Sequence, residues 1–302
     1  MLIARGRRHP KASRAGRNKG EPIFRCNVNS VDDLIVALAK GNANSQWPSR
    51  PAFVRAPTIR RSRERQSLGD LIRIRLGIVT GDSSYFLLSE SRRRELQLPI
   101  AAVTPILSKA RHLVSPQITT AQWRALKDDD ERVWLFNPRA EVISARAVKS
   151  YLRFGRNGGC QLDNHKVSIR NPWFQFPSTC EADAFVSGMS TRMPWLSFRG
   201  MPSLAATNTL YKVNFLDRSL QLKHRVGIAM SLLSSEVREE MGTRGRPYAA
   251  GLLKHEPGDL LGIQIPAIGT VVGDWGAYRR AVQALSEGNE AVARKIADAC
   301  II

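Results

Sequence analysis

Apolar positions along this chain come in short bursts whose period changes from segment to segment. Between Ser67 and Leu88, the residues Leu71, Ile72, Ile74, Leu76, Ile78 and Val79 form an apolar, β-branched run. Thr80-Gly81-Asp82-Ser83-Ser84 interrupts it, and Tyr85–Leu88 resumes it. Gly and Asp in a short loop between apolar runs predict strand, turn, strand. Glu90–Leu96 predicts a short helical turn. Further strands are expected at Val133–Phe136, Lys166–Ile169, Asp183–Met189, Trp195–Phe198 and Leu210–Phe215. A helix is expected over Glu141–Phe154, ending in the glycine-rich GRNGG. Leu222, Val226, Ala229, Leu233, Val237 and Met241 recur every three or four residues. That spacing predicts one amphipathic helix over Leu220–Met241, stopped by Gly245 and Pro247. Residues 274–299 predict a third amphipathic helix. No internal repeat is present. Short strands with interspersed helices point to an α+β body with mixed small sheets rather than a regular βαβ wind.

Before Ser67 the pattern fades. Residues 1–20 have almost no apolar periodicity, and the first 66 read as a basic, weakly ordered arm and linker. Within it Val31–Lys40 predicts one helix, with Ser30 as N-cap and Gly41 as stop. A Pro-, Asn- and Ser-rich connector and the basic run Arg60, Arg61, Arg63, Arg65 follow. The expected organisation is an arm (1–66), a main body (67–266) and a C-terminal helical segment (267–302).

Charge changes the picture more than composition does. The 302 residues are 43% hydrophobic and 24% charged, an ordinary globular balance. Yet 46 Lys and Arg against 26 Asp and Glu give +20, with pI near 10.7. Residues 1–65 hold 15 basic and 4 acidic residues, so +11; the other 237 carry +9. Such a chain is drawn to polyanions, nucleic acid first and an acidic membrane surface second. Its Arg excess suits phosphate forks and guanine contacts, and equally suits a genome of high G+C content. No apolar stretch approaches the ~18 residues of a membrane span, and the N-terminus is not a secretory signal. Cys26, Cys160, Cys180 and Cys300 are far apart and the five histidines scattered, so no zinc-ligand spacing exists. Free thiols in a reducing, cytoplasmic compartment are expected. GxSxG and GxxxxGK[ST] are absent, which argues against serine hydrolase and ATPase chemistry. The Gly155–Gly159 cluster follows a helix rather than a strand, the wrong context for a cofactor turn.

The order of segments in the body resembles the C-terminal target-recognition region of gamma-class, N-6 adenine-specific DNA methyltransferases. LGDLIRIRLGIVTGDSSYFLL looks like that family's opening element, with its GI-x-TG turn and aromatic pair. KVSIRNPWFQF (Lys166–Phe176) looks like its R-x-P-W-aromatic segment. ATNTLYKVNF (Ala206–Phe215) looks like its T-N-x-aromatic/His strand. The stretch from Ser231 to Pro266 looks like its closing helix, Gly-rich turn, K-x-x-P and I-P end. Tyr211 stands where a His is frequent, and Phe198-Arg199-Gly200 falls where an Asn is more usual. The family's two catalytic signatures, an acidic-x-F-x-G-x-G donor turn and N/D-P-P-Y/F/W, are missing. Asn171-Pro172-Trp173-Phe174 imitates the second, but Trp replaces its second proline. Sixty-six preceding residues are too few for a doubly wound catalytic domain, in which one βαβ unit takes ~30 or more.

What the resemblance implies is a module that recognises double-stranded DNA in a restriction-modification system. It implies no S-adenosylmethionine site in this chain, the cofactor and flipped-base pocket belonging to a methyltransferase catalytic partner or a missing N-terminal domain. A degenerate but competent methyltransferase and a general basic nucleic-acid-binding protein remain open. The candidate DNA-contacting residues are Thr80, Gly81, Asp82, Lys166, Arg170, Asn208, Arg244, Arg246 and Lys254. Thr80–Ser83 serves equally as a plain turn held by Asp and Ser side chains. Arg170 and Lys166 serve as phosphate or guanine contacts or as a solvated face. Asn208 reads adenine or bonds its own loop. Trp173 and Phe174 are assigned to the core.

Overall fold

A computed structural model describes residues 64–176, 182–191, 194–248 and 251–302. The expected helix at Val31–Lys40 and most of the basic arm lie outside the described residues. Strands and helices intermingle in an α+β arrangement of small sheets. None of the described helices is long and apolar enough to cross a membrane.

A five-stranded sheet organises the body. Its order is β2 (Ile72–Leu76), β11 (Leu210–Phe215), β7 (Ala184–Ser187), β9 (Ser197–Gly200) and β5 (Gln117–Thr119). All pairs are antiparallel except β9 with β5. β2 alternates buried Ile72 and Ile74 with exposed Arg73 and Arg75, as a half-buried strand must. One face of the sheet, carrying Ile72, Ile74, Val186, Val213 and Phe215, packs on four helices: α6 (Leu222–Ser231), α7 (Ser235–Arg244), α9 (Trp275–Ser286) and α10 (Glu290–Asp298). Each fully buried side chain of this size contributes about 1.5–3 kcal/mol. Phe185 and Leu210, on the opposite side of their strands, join a second core. That core belongs to a four-stranded sheet, β10 (Ala205–Ala206), β4 (Val103–Leu107), β6 (Trp134–Phe136) and β3 (Leu87–Leu88). A three-stranded sheet joins β12 (Arg246–Pro247), β13 (Leu253–Lys254) and β8 (Met189–Ser190), and β1 (Arg65–Ser67) pairs with β14 (Gln264–Pro266).

Several elements depart from the pattern-based reading. The expected hairpin at Thr80–Ser84 is a helical turn, α1 (Ser83–Phe86), and the following β3 pairs with β6 rather than with β2. Asp82 caps α1 from the N-cap position, which favours a helix start over a hairpin bend. Tyr85 and Phe86 go to an aromatic cluster with Phe136, Tyr151 and Phe176. Lys166–Ile169 is not a strand: Lys166–Ser168 lie on α5 (His165–Ser168), Ile169 is its C-cap, and the N-cap Asn164 accepts from the Lys166 N–H. The long helix expected over Leu220–Met241 is two, α6 and α7. The hydroxyls of Ser231 and Ser234 bond back to the carbonyls of Ile228 and Ser231 at the break. Such back-bonding competes with the helix ladder. Residues 274–299 likewise form two helices, parted at Gly288, whose φ of 86° suits glycine. The helix expected from Glu141 begins at Arg146 as α4 (Arg146–Phe154), after a 3-10 turn at Ala140–Val142. The helix α3 (Thr120–Asp128) was unexpected, although the Thr119/Gln122 capping box that starts it is visible in the sequence.

Candidate nucleic-acid interface

The nine candidate residues fall in two groups, one around the loop that leaves β2 and one on and beside the three-stranded sheet, with the Arg244 side chain turned back toward Glu240 and Gly262. The first surrounds the loop that leaves β2. The Gly77 N–H donates to Leu210 O and the Ile78 N–H to Ala206 O, while the Asn208 N–H returns to Ile78 O. Gly77 makes this closeness possible, since a Cβ there would lie 2.1 Å from Thr207 O. From Ile78 the chain rises through Thr80 and Gly81, with φ of 80° at Gly81. A Cβ on Gly81 would lie 2.7 Å from Val167 and 3.2 Å from the Lys166 Cβ, so the loop sits against α5. Lys166 and Asn208 are exposed on either side of it.

Asp82 and Arg170 hold this loop from beneath. The buried Asp82 carboxylate accepts from the backbone N–H groups of Ser84 (3.0 Å), Tyr85 (3.1 Å) and Gln161 (3.0 Å), and from the Ser84 hydroxyl. Burial by itself would raise its pKa, but these hydrogen bonds outweigh burial and hold the carboxyl below its usual value. The Arg170 guanidinium lies 4.7 Å from the Phe86 ring centre and 4.1 Å from that of Phe176. Its Nη2 donates to Thr80 O at 2.9 Å, while Nε and Nη1 are buried without a partner. Burial lowers its pKa. Arg170 is thus turned inward under the loop, and Lys166 is the outward cation of the pair. Trp173 packs on Tyr85 and Phe86, and Phe174 is buried, as assigned from the sequence.

The second group lies beyond the end of β7. The His255 N–H donates to Gly188 O, and the Tyr211 hydroxyl of β11 donates to His255 O at 2.9 Å. These bonds fasten the three-stranded sheet to the same end of the larger one. Arg246 and Lys254 face each other in the β12–β13 register. Lys254 is paired with Glu256 (2.6 Å) and Arg244 with Glu240 (2.9 Å). Arg246 is exposed and, among the described residues, has no side-chain partner. Exposed Met189 and Tyr248 stand beside these cations, on β8 and next to β12. Sequence reasoning missed both, because β8 meets β13 only through a pairing more than sixty residues distant.

The family model of the Type II methyltransferase M.Eco57I C-terminal domain matches residues 52–302. The chain belongs to this family. Among curated proteins, the Type II methyltransferase M.AccI of Acinetobacter calcoaceticus is 24% identical over 187 residues. That alignment covers 61% of this chain and 33% of M.AccI, so the M.Eco57I-type domain spans about a third of the length of that relative. Among solved structures, the type IIG restriction endonuclease BpuSI aligns over 78% of this chain and 30% of its own, with 12% identity and a TM-score of 0.46. Family membership covers both groups of candidates, and with them β2, α5, β11 and the three-stranded sheet.

Proposed function

We propose that this M.Eco57I-type C-terminal domain holds and reads double-stranded DNA for an N-6 adenine methyltransferase of a restriction-modification system. S-adenosylmethionine and the pocket for the flipped adenine are supplied by another chain or by a further part of the same protein. The observation that carries this reading is that Lys166 and Asn208 stand exposed at the loop after β2, with exposed Arg246 on the three-stranded sheet fastened beyond β7, in a domain of a type II methyltransferase family. Lys166 and Arg246 are exposed cations suited to phosphate oxygens, which fix register without reading sequence. The Asn208 amide has the donor–acceptor pair that matches adenine N7 and N6 in the major groove. The loop between β2 and α1 is tied down by Asp82 and Arg170, and base reading requires side chains held at fixed positions. The packing of Trp173 and Phe174 in the core supports reading Asn171–Phe174 as scaffold rather than as an adenine-binding tetrapeptide.

The test combines binding and chemistry. The purified chain is expected to bind duplex DNA with log affinity falling linearly in log salt, by about 0.9 per neutralised phosphate. With labelled S-adenosylmethionine it is expected to leave DNA unmethylated, since adenine transfer needs the donor and a flipped-base pocket together. Methyl transfer by the pure chain, abolished by Asn171→Ala, would overturn the division of labour.

A further inference from the structure

A groove runs along the opposite edge of the five-stranded sheet, at β5, away from the end that carries the candidates described above. It consists of two clefts, of about 340 Å³ and 370 Å³, that share Gln117 and Trp275 in their walls. Trp275, the first residue of α9, is half-buried and rests edge-on against Phe198, with ring centres 5.6 Å apart. Arg199 and Arg225 line the first cleft, and Arg279 lines the second. Arg225 is committed: its Nε donates to Leu220 O, and its guanidinium lies 5.1 Å from the Phe215 ring centre. The side chains of Arg199 and Arg279 have no hydrogen-bond or ion-pair partner among the described residues. Asp183 is the one acid in either wall, and its carboxylate is already occupied by the Phe215 N–H (2.9 Å) and by Arg218 (3.0 Å).

An indole that walls both clefts, with one unpaired guanidinium lining each, fits a planar group flanked by two anions. We infer that this groove binds an unpaired nucleotide, its base against Trp275 and its two flanking phosphates on Arg199 and Arg279. The chemistry suits each part. Guanidinium and phosphate form charge-assisted, often bidentate hydrogen bonds. An indole face stacks any base, and Gln117 adds an amide that both donates and accepts. This inference stands apart from duplex recognition at the other end of the sheet. Its ligand is either a free nucleotide or an unpaired nucleotide within a strand.

Titration calorimetry of the full chain with three probes separates these sources: thymidine 5′-monophosphate, thymidine 3′,5′-bisphosphate and a five-nucleotide oligothymidylate. The bisphosphate and the oligonucleotide are expected to saturate one site more tightly than the monophosphate, quenching tryptophan fluorescence. Equal binding of all three would show that only one phosphate is used and would overturn the two-anion arrangement. Arg199→Gln and Arg279→Gln should each weaken bisphosphate binding about tenfold, the scale of one charge-assisted bond. Trp275→Leu should weaken it by about fivefold or more and remove the quenching, since stacking contributes at this level. The two arginines are surface residues, so their variants keep the test decisive if Trp275→Leu fails to fold. Unchanged affinity in both arginine variants, or no saturable binding of any probe, overturns the inference. Duplex binding by the same preparation is read separately and depends on Lys166 and Arg246.

Discussion

Arg170 shows how a residue type suited to one task can be placed for another. On sequence alone its guanidinium is as good a guanine fork as any. In the folded chain it is stacked between Phe86 and Phe176 and bonded to Thr80 O, under the loop that packs against Lys166 of α5. Cation–π contact and one hydrogen bond are together worth about 1–3 kcal/mol. Arg170→Ala is therefore expected to lower the free energy of unfolding by that amount, read as a lower urea midpoint with the m-value unchanged. A variant of unaltered stability that loses discrimination at a single base pair would instead put this guanidinium on DNA. Asp82 is a similar case. Its part as a turn-holding side chain was open to inspection, since Asp before Ser-Ser is a strong capping residue. That Gln161 supplies its third backbone donor was not, because nothing local links positions 79 residues apart.

At the scale of elements, strands with clean alternation were legible and helix breaks were not. β11 falls on the expected Leu210–Phe215, and β2 lies inside the expected run, because both bury one face in alternation. The apolar period across Leu220–Met241 is continuous even though the chain turns at Leu232–Ser234, since both helices face one core and keep the same apolar spacing. α5 was misread because three of its four residues also suit an exposed strand, and only the Asn164 cap decides for the helix. A second feature of the helical layer was hidden from the sequence. Arg238 on α7 is 1% exposed, and none of its three guanidinium nitrogens has a partner. Glu290 and Arg294 of α10 bond each other instead (2.6 Å). Burial lowers the Arg238 pKa to about 10, so it remains charged at neutral pH. A base with a folded pKa below its unfolded value destabilises the fold while charged, and this penalty eases as pH rises through about 10. Arg238→Met is expected to stabilise the protein by about 1–4 kcal/mol at pH 7, as apolar replacement of buried ions often does. A lower thermal midpoint in that variant would mean that the guanidinium serves a partner in solution.

Among the described residues, one five-stranded sheet relates the surface features described above. One end collects the loop after β2, the turn before β11 and the three-stranded sheet after β7, although these segments are scattered from Thr80 to Lys254 in the chain. Antiparallel pairing of β2, β11 and β7 brings them together, and pattern reading cannot supply a strand order that depends on long-range pairing. The motif order did carry the family, because each motif sits where this sheet needs it: Gly77 for close approach, Thr207-Asn208 for the return, Tyr211 to fasten His255. A charge of +20 favours any polyanion and selects no site, so the proposed recognition of DNA rests on Lys166 and Asn208 rather than on net charge. Selection by the full chain from a randomised duplex pool, with the Asn208→Ala variant run alongside at equal salt, tests it most directly. One short motif is expected to be enriched by the parent chain. Asn208→Ala is expected to lose preference at one adenine position, by about 1–3 kcal/mol of discrimination, while its salt slope stays the same. Enrichment of no motif by the parent chain, or an identical motif at undiminished preference in the variant, would contradict it.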